Sequence, residues 1–161
     1  MTEIRSGTSP QANPKASTFN VLILHGPNLN LLGLREPGIY GVSTLAQIDS
    51  KLVELGCSLQ VQVHCLQSNH EGEIVTTIQQ AMTWAECIII NPAAYTHTSV
   101  AIRDAISSIN IPTIEVHLSN IYKREDFRQK SFIAPVTIWQ ISGFGENSYY
   151  LALEAASNII K

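Results

Sequence analysis

Short apolar runs recur along the chain, and they predict five β-strands. The runs occupy residues 19–24, 59–65, 87–90, 113–117 and 136–141. In the second run, apolar residues from Leu59 to Cys65 alternate with polar ones, a spacing that favours a half-buried strand at or near a sheet edge. The third run is continuously apolar, which favours a strand that is buried on both faces.

Longer segments between these runs carry apolar residues at helical spacing. They predict helices over residues 45–55, 74–85, 99–106 and 147–160. Thr44, followed three residues later by Gln47, resembles a capping box at the start of the first helix. Gly56 stands where that helix is expected to end.

The order of these elements predicts the fold class. Five strands separated by helices imply a parallel sheet with helices on both faces. Right-handed crossovers then give an α/β, flavodoxin-like three-layer sandwich. We expect one domain over residues 18–161, because neither an internal repeat nor a linker interrupts the pattern. Residues 1–17 are polar and hold no apolar block, so we expect a disordered tail rather than a secretory signal.

Composition changes this picture mainly at the surface. Charged residues make up only 14% of the 161 residues, against roughly 25% in a typical soluble domain. We interpret this as burial of surface between subunits; a surface rich in uncharged polar residues is the alternative. The net charge is −3, without a run of Lys or Arg, which disfavours nucleic acid as a partner. No apolar stretch approaches the ~20 residues of a membrane span.

The cysteine pattern bears on metal sites and on the compartment. Cys57, Cys65 and Cys87 are an odd number without paired spacing. They are therefore unlike a disulfide framework or a zinc site, and we expect no metal. Unpaired cysteines fit a reducing, cytoplasmic setting.

The residues that could do chemistry cluster after the predicted strands. Polar loops rich in Asn and His follow the first four strands, at residues 25–30, 67–72, 91–97 and 117–120. Ligands of such sheets bind beyond the carboxyl ends of the strands. We therefore expect an active site where these loops meet.

Residues 34–41 contain a proline, two glycines and no periodicity, which predicts a loop that could close over the site as a lid. Arg35 lies five residues before Tyr40 in this segment. Ionising a tyrosine near neutral pH costs roughly 4 kcal/mol, and a nearby guanidinium in a site closed to water offsets part of that cost. Tyr40 is therefore a candidate base; an ordinary exposed aromatic is the alternative.

Glu115 and His117 are two residues apart on a predicted strand, so their side chains point to the same face. A carboxylate beside an imidazole holds one tautomer and stabilises the protonated ring, which makes His117 a candidate general acid. A pair that only satisfies itself at a strand end is the equal alternative. Arg124 and Arg128 are expected to share one helical face. A solvated, salt-bridged turn is favoured for Arg124, and contact with a polar ligand for Arg128.

Together these motifs resemble the type II 3-dehydroquinate dehydratases. The matching segments are Gly26-Pro-Asn-Leu-Asn-Leu-Leu-Gly33, Arg35-Glu-Pro37 with Tyr40-Gly41, Gln67-Ser-Asn-His-Glu-Gly72, Thr96-His-Thr-Ser99 with Arg103-Asp104, Glu115-Val-His-Leu-Ser-Asn120, and Arg124 to Arg128. They follow the family's order from about residue 19 to the C-terminus. Such an ordered set is far more specific than any one motif.

The resemblance implies a flavodoxin-like subunit, a dodecamer built from trimers, and a reaction without cofactor or Schiff base. That reaction is an anti elimination of water from 3-dehydroquinate, through an enolate, to 3-dehydroshikimate. Tyr40 would remove a proton beside the ring ketone, Arg35 would stabilise its phenolate, and a water near Asn28 would support the enolate oxygen. His117 would protonate the departing hydroxyl, and Glu115 would orient His117.

The resemblance also implies how the substrate is held. Asn91, His97 and Arg128 would bind ring hydroxyls. Leu118 and Ser119 would bind the carboxylate through backbone N–H and hydroxyl groups. Asp104 corresponds to a residue that reaches into a neighbouring subunit's site.

Two positions depart from the family pattern. The family usually has glycine where Ala93 stands, and often an aromatic residue and a histidine near residues 129–132, where this chain has Gln-Lys-Ser-Phe. Neither position is the proposed acid or base. We expect them to affect substrate affinity more than reaction type.

Two other functions are alternatives. A flavodoxin-like module for a flavin or nucleotide would need a phosphate-cradling loop after the first strand, where Pro27 removes a backbone donor. A non-enzymatic assembly protein would need neither an acid nor a base. The presence of Arg35, Tyr40 and His117 argues against that second alternative.

Overall fold

The structure is a computed structural model that describes residues 19–34 and 43–159. Within these residues the strands of the sheet are β1 (Phe19–His25), β2 (Val61–Gln67), β3 (Cys87–Asn91), β4 (Thr113–His117) and β5 (Trp139–Ser142). They form one sheet in the order β2-β1-β3-β4-β5, and each neighbouring pair is parallel. The predicted five-stranded parallel sheet is confirmed. The tail expected over residues 1–17 lies outside the described residues.

Helices cover both faces of this sheet. They are α1 (Leu45–Ser58), α2 (Glu71–Ala81), α3 (Val100–Ser108) and α4 (Asn147–Ile159). Alternate residues of β1 point to opposite faces: Val21 packs into one core with α1 and α4, and Leu22 packs into the other with α2 and α3. The predicted three-layer sandwich is therefore confirmed. None of the described helices is long and apolar enough to cross a membrane.

The start of α1 follows the local sequence, but its end does not. The Thr44 side chain accepts a hydrogen bond from the Gln47 backbone N–H, and the Gln47 side chain accepts one from the Thr44 backbone N–H. The predicted capping box is thus confirmed. The predicted end at Gly56 is wrong by two residues. A Cβ at Gly56 would lie 2.6 Å from Val63 Cγ2, so this glycine allows α1 to approach β2 closely.

The two outer strands show where the sequence boundaries were imprecise. β2 lies at an edge of the sheet, as predicted, but it begins at Val61 rather than at residue 59. Gln60 has φ 59°, so the chain turns there before it enters the sheet. β5 begins at Trp139 rather than at residue 136, because Ala134–Val136 forms a 3₁₀ turn that contains a proline.

Candidate active site

A pocket of about 250 Å³ opens beyond the carboxyl ends of β1, β3 and β4 in the described part of the chain. Its walls come from segments within residues 27–32, 91–97, 117–121 and 124–128. Three of the four predicted polar loops therefore contribute to one concave site. The loop after β2 does not line the pocket, but it is hydrogen-bonded to the β1 loop through Asn69.

The β1 loop packs tightly on the end of β3. The Gly26 N–H donates to the Asn91 carbonyl oxygen at 2.8 Å. A Cβ at Gly26 would lie 2.5 Å from the Pro92 carbonyl oxygen, so no other residue fits without a backbone shift. This contact fixes the start of the loop that carries Asn28 into the pocket lining.

Asn28 is held by a residue that the sequence analysis did not single out. Its backbone has φ 66°, and its N–H donates to Asn69 Oδ1 at 2.9 Å. Gln67 Nε2 donates to the same oxygen at 3.0 Å, and the Tyr95 hydroxyl donates to the Asn69 carbonyl at 2.8 Å. Asn69 thus braces the β1 loop against the loop after β3. The sequence signals were that each strand-end loop carries an asparagine and that Asn69 lies in the matching segment Gln67-Ser-Asn-His-Glu-Gly72.

Glu115 and His117 form a buried pair at the end of β4. His117 Nε2 lies 2.6 Å from Glu115 Oε1, and both side chains are buried. The Ser131 hydroxyl lies 2.9 Å and 3.0 Å from the two carboxylate oxygens. Because an ionised carboxylate only accepts hydrogen bonds, Nε2 carries a hydrogen. Nδ1 is then the ring nitrogen that makes no hydrogen bond to Glu115. His117 lines the pocket.

His97 also lines the pocket, and its hydrogen-bond partner differs from that of His117. Its Nδ1 donates to the Lys130 carbonyl oxygen at 2.8 Å, so Nε2 is the acceptor of the neutral ring. Burial lowers the pKa of His97, and the positive charges of His117 and Arg128 lower it further. His97 is therefore suited to accept a hydrogen bond from a ligand hydroxyl at neutral pH.

The arginine segment has a different backbone from the one predicted. Ile121–Lys123 and Asp126–Arg128 form separate 3₁₀ turns, and Arg124 between them is extended, with ψ −176°. The expectation of one shared helical face for Arg124 and Arg128 is wrong, because the chain changes direction between them.

Both arginines nevertheless line the pocket, although a solvated turn was favoured for Arg124. Arg128 Nε lies 3.1 Å from Glu125 Oε2, and Arg124 Nε lies 3.5 Å from it. The pKa of Glu125 is lowered by its own backbone N–H and then by the two arginines. Arg124 Nη1 also lies 3.5 Å from Ser119 Oγ, so positive charge stands beside the segment Leu118-Ser119.

Asn91 ends β3 and is buried. Its Oδ1 accepts a hydrogen bond from the Ala93 N–H at 3.1 Å. Ala93 has φ 51°, a conformation that favours glycine, which explains why a glycine at this position suits the fold. Asp104 is exposed on α3 and does not line the pocket. Arg35 and Tyr40 lie outside the described residues.

Side chains that could bind a metal meet around His25 at the end of β1. Among the described residues, His25, Asp49 and Cys65 place possible ligand atoms within 4.8 Å of one another. His25 is fully buried, and both of its ring nitrogens have hydrogen-bond partners within the protein. This cluster is separate from the Glu115–His117 pair that faces the pocket.

Comparison with known proteins identifies the family. A family model described as dehydroquinase class II matches residues 19–157. The chain is 62% identical to a 3-dehydroquinate dehydratase of Nostoc sp., over 84% of this chain and 92% of that protein. It is 56% identical to one of Geotalea daltonii, over 89% and 99%.

Solved structures agree with this match. The crystal structure of type II dehydroquinase from Butyrivibrio crossotus superposes with a TM-score of 0.86 at 44% identity, over 88% of this chain and 99% of that one. The type II dehydroquinase from Propionibacterium acnes gives a TM-score of 0.84 at 40% identity, over 86% and 96%. Sequence, fold and the position of the pocket thus lead to one conclusion, that this chain belongs to the class II dehydroquinases.

Proposed function

We propose that this protein dehydrates 3-dehydroquinate to 3-dehydroshikimate by an anti elimination through an enolate, with no metal or organic cofactor. The observation that carries the proposal is the buried Glu115–His117 pair, in which His117 lines a pocket of about 250 Å³. The family match supports the substrate. The small volume of the pocket and its polar side chains suit a ring that carries hydroxyl groups and a carboxylate.

The first step is removal of a proton from the carbon beside the ring ketone. Tyr40, as its phenolate, takes this proton, and Arg35 stabilises the phenolate. The electron pair of the broken C–H bond moves into the enolate. A water held near Asn28 donates a hydrogen bond to the enolate oxygen, which stabilises the charge as it forms.

The second step is departure of the hydroxyl. His117, protonated at both nitrogens, gives its Nδ1 proton to the leaving oxygen, while Nε2 stays bonded to Glu115. The C–O bond breaks, the enolate electrons form the C=C bond, and water leaves. Glu115 supports this step because its carboxylate, held by Ser131, stabilises the imidazolium and fixes the ring.

We assign substrate binding to the pocket residues that take no part in proton transfer. His97 accepts a ring hydroxyl at Nε2, and Asn91 and Arg128 hold the others. Leu118 and Ser119 bind the carboxylate through backbone N–H and hydroxyl groups. The neighbouring Arg124, which contacts Ser119, makes this end of the pocket positive and supports the assignment.

We also propose that the protein works as a homo-oligomer, a dodecamer built from trimers, in which Asp104 reaches a neighbouring subunit's site. Large apolar side chains such as Leu34 and Phe127 are 82% and 64% exposed in the single chain. Light scattering after size-exclusion chromatography tests this: a mass near that of one chain of 17.7 kDa would contradict it. A cytoplasmic location fits the cysteines Cys57, Cys65 and Cys87, which are free.

The reaction is tested by ultraviolet absorbance on addition of 3-dehydroquinate. The product is a conjugated enone, so turnover appears as rising absorbance, and NMR of the product mixture identifies it. We expect catalysis without added metal and unchanged after treatment with a chelator. No absorbance rise over a range of pH would overturn the proposal and favour a binding module instead.

A further inference from the structure

A chain of polar side chains runs from the half-buried Asp49 through buried residues to Asn91. His25 Nε2 lies 2.9 Å from Asp49 Oδ1, and His25 Nδ1 lies 2.7 Å from the Tyr149 hydroxyl. Asn91 is paired with His25 across β1 and β3, and its side chain interacts with the Tyr149 hydroxyl. His25 and Tyr149 are fully buried, and they come from β1 and α4.

The partners settle the direction of each hydrogen bond. Asp49 as a carboxylate only accepts, so His25 Nε2 carries a hydrogen and Nδ1 is an acceptor. The Tyr149 O–H therefore donates to Nδ1, and its oxygen accepts from Asn91 Nδ2. Burial raises the pKa of Tyr149 above its usual value, which keeps the hydroxyl proton in place for this bond.

These hydrogen-bond directions fix the orientation of the Asn91 side-chain amide. Its Oδ1 accepts from the Ala93 N–H at 3.1 Å. Its Nδ2 is then the donor that is directed to the Tyr149 oxygen, because an amide N–H beside Tyr149 lowers the pKa of that hydroxyl. A flipped amide would place an N–H against the Ala93 N–H and an oxygen where Nδ2 donates. One Nδ2 hydrogen is left for the pocket that Asn91 lines.

We propose that Asp49, His25 and Tyr149 are positioning residues that orient the Asn91 amide so that it donates a hydrogen bond to a substrate hydroxyl oxygen. The inference rests on the proposed dehydration at the same pocket. It assigns a role to buried groups that the elimination itself does not use.

A metal site formed by His25, Asp49 and Cys65 is the alternative role of these side chains. Asp49, His25 and Cys65 could each offer a ligand atom. A metal would have to displace the Nε2 hydrogen of His25 and ionise the Cys65 thiol, whose pKa is raised by burial and by Asp49. The hydrogen bonds that already use both His25 nitrogens favour the positioning role.

Kinetics test the inference through a double-mutant cycle of Tyr149→Phe and Asn91→Ala. Tyr149→Phe keeps the ring and removes the hydroxyl, so we expect kcat/KM for 3-dehydroquinate to fall about tenfold. In the Asn91→Ala background the same change should alter kcat/KM by less than about twofold, since Tyr149 acts through Asn91. An equal fall in both backgrounds would overturn the inference.

A control must distinguish loss of stability in Tyr149→Phe from loss of the positioning of Asn91. Ser157→Ala removes another buried hydroxyl of α4, one that bonds only locally to the Glu154 carbonyl at 2.8 Å. We expect Ser157→Ala to lower the melting temperature and leave kcat/KM unchanged. Tyr149→Phe should lower the melting temperature in both backgrounds. A fall in kcat/KM with Ser157→Ala as large as with Tyr149→Phe would contradict positioning.

A readout without turnover keeps this inference distinct from the proposed reaction. The side-chain amide signals of Asn91, assigned by their loss in Asn91→Ala, should shift in Tyr149→Phe and move less in Asp49→Asn. Unmoved signals would overturn the inference even in an active enzyme. Shifted signals in a protein inactive on 3-dehydroquinate would overturn only the proposed reaction. Tight binding of one Zn²⁺ that Asp49→Asn abolishes would favour the metal site.

Discussion

Two carboxylate–histidine pairs lie at the carboxyl ends of strands in this sheet. On β4, His117 Nε2 is 2.6 Å from Glu115, and the ring lines the pocket. On β1, His25 Nε2 is 2.9 Å from Asp49, but Nδ1 is bonded to Tyr149 and the ring is fully buried. No hydrogen bond to Nδ1 of His117 is found within residues 19–34 and 43–159. The two histidines thus differ at Nδ1. In His117 this nitrogen is available for proton transfer, whereas in His25 it is used in a structural hydrogen bond.

The largest expected effect comes from exchanging each histidine for asparagine. His117→Asn should lower kcat about 10²–10⁴-fold, because it removes the proposed proton donor for the leaving hydroxyl. His25→Asn should lower kcat/KM only about tenfold, through Asn91. The melting temperature should fall more in His25→Asn, where a buried network loses its centre. Steady-state kinetics and thermal unfolding measure both, and a similar loss of kcat in the two variants would break the comparison.

Gly26→Ala, next to His25 in the chain, tests whether the loop after β1 contributes mainly to stability. Gly26→Ala places a Cβ 2.5 Å from the Pro92 carbonyl oxygen, and such overpacking costs about 1–3 kcal/mol of unfolding free energy. Gly72→Ala is the control, since a Cβ at this position of α2 would meet nothing within 4 Å. It should stabilise the protein by up to ~1 kcal/mol. Urea unfolding measures both, and equal stability of the two variants would contradict the tight contact between the β1 and β3 loops.

Much of this fold follows from short-range patterns in the sequence. The capping box of Thr44 and Gln47 spans three residues, and the same-face placement of Glu115 and His117 follows from strand geometry alone. Both were predicted because their partners are close along the chain. Arg128 was expected to contact a polar ligand, and it lines the pocket, although the helix expected there does not form.

The features that were missed depend on contacts between distant residues. His25 and Tyr149 are 124 positions apart, and Asn28 and Asn69 are 41 apart. Gly56 was interpreted as a helix end, whereas its role is close packing of α1 on Val63 of β2. No local pattern reports such pairings, because they exist only once the sheet order has brought the strands together.

A smaller effect is expected at the loop that follows Asn91. Ala93 has φ 51°, and a left-handed conformation costs a residue with a Cβ roughly 1–2 kcal/mol. Ala93→Gly removes that cost but adds freedom to the unfolded chain, so we expect a net gain of about 0.5–1 kcal/mol in unfolding free energy. Urea unfolding measures it. Destabilisation would show that the added freedom of the unfolded chain outweighs the strain that glycine relieves.

The smallest effect concerns His97, which lines the pocket together with His117. Burial lowers its pKa below the usual 6.5. The folded state therefore binds fewer protons than the unfolded state near and below that value, and its contribution to stability rises with pH through this range and is lost as pH falls. NMR titration of the ring protons, compared with His97→Gln, should give a midpoint below 6.5. A midpoint above that value would contradict a neutral His97 acceptor.

Hydrogen–deuterium exchange in the substrate tests the division of labour between base and acid most directly. In D₂O, His117→Asn should still let Tyr40 form the enolate, which then takes deuterium back because the hydroxyl cannot leave. We predict that NMR shows deuterium entering 3-dehydroquinate beside the ketone with almost no product, and that adding Tyr40→Phe abolishes this exchange. Exchange no faster than without enzyme, or exchange that persists in the double variant, would contradict the account.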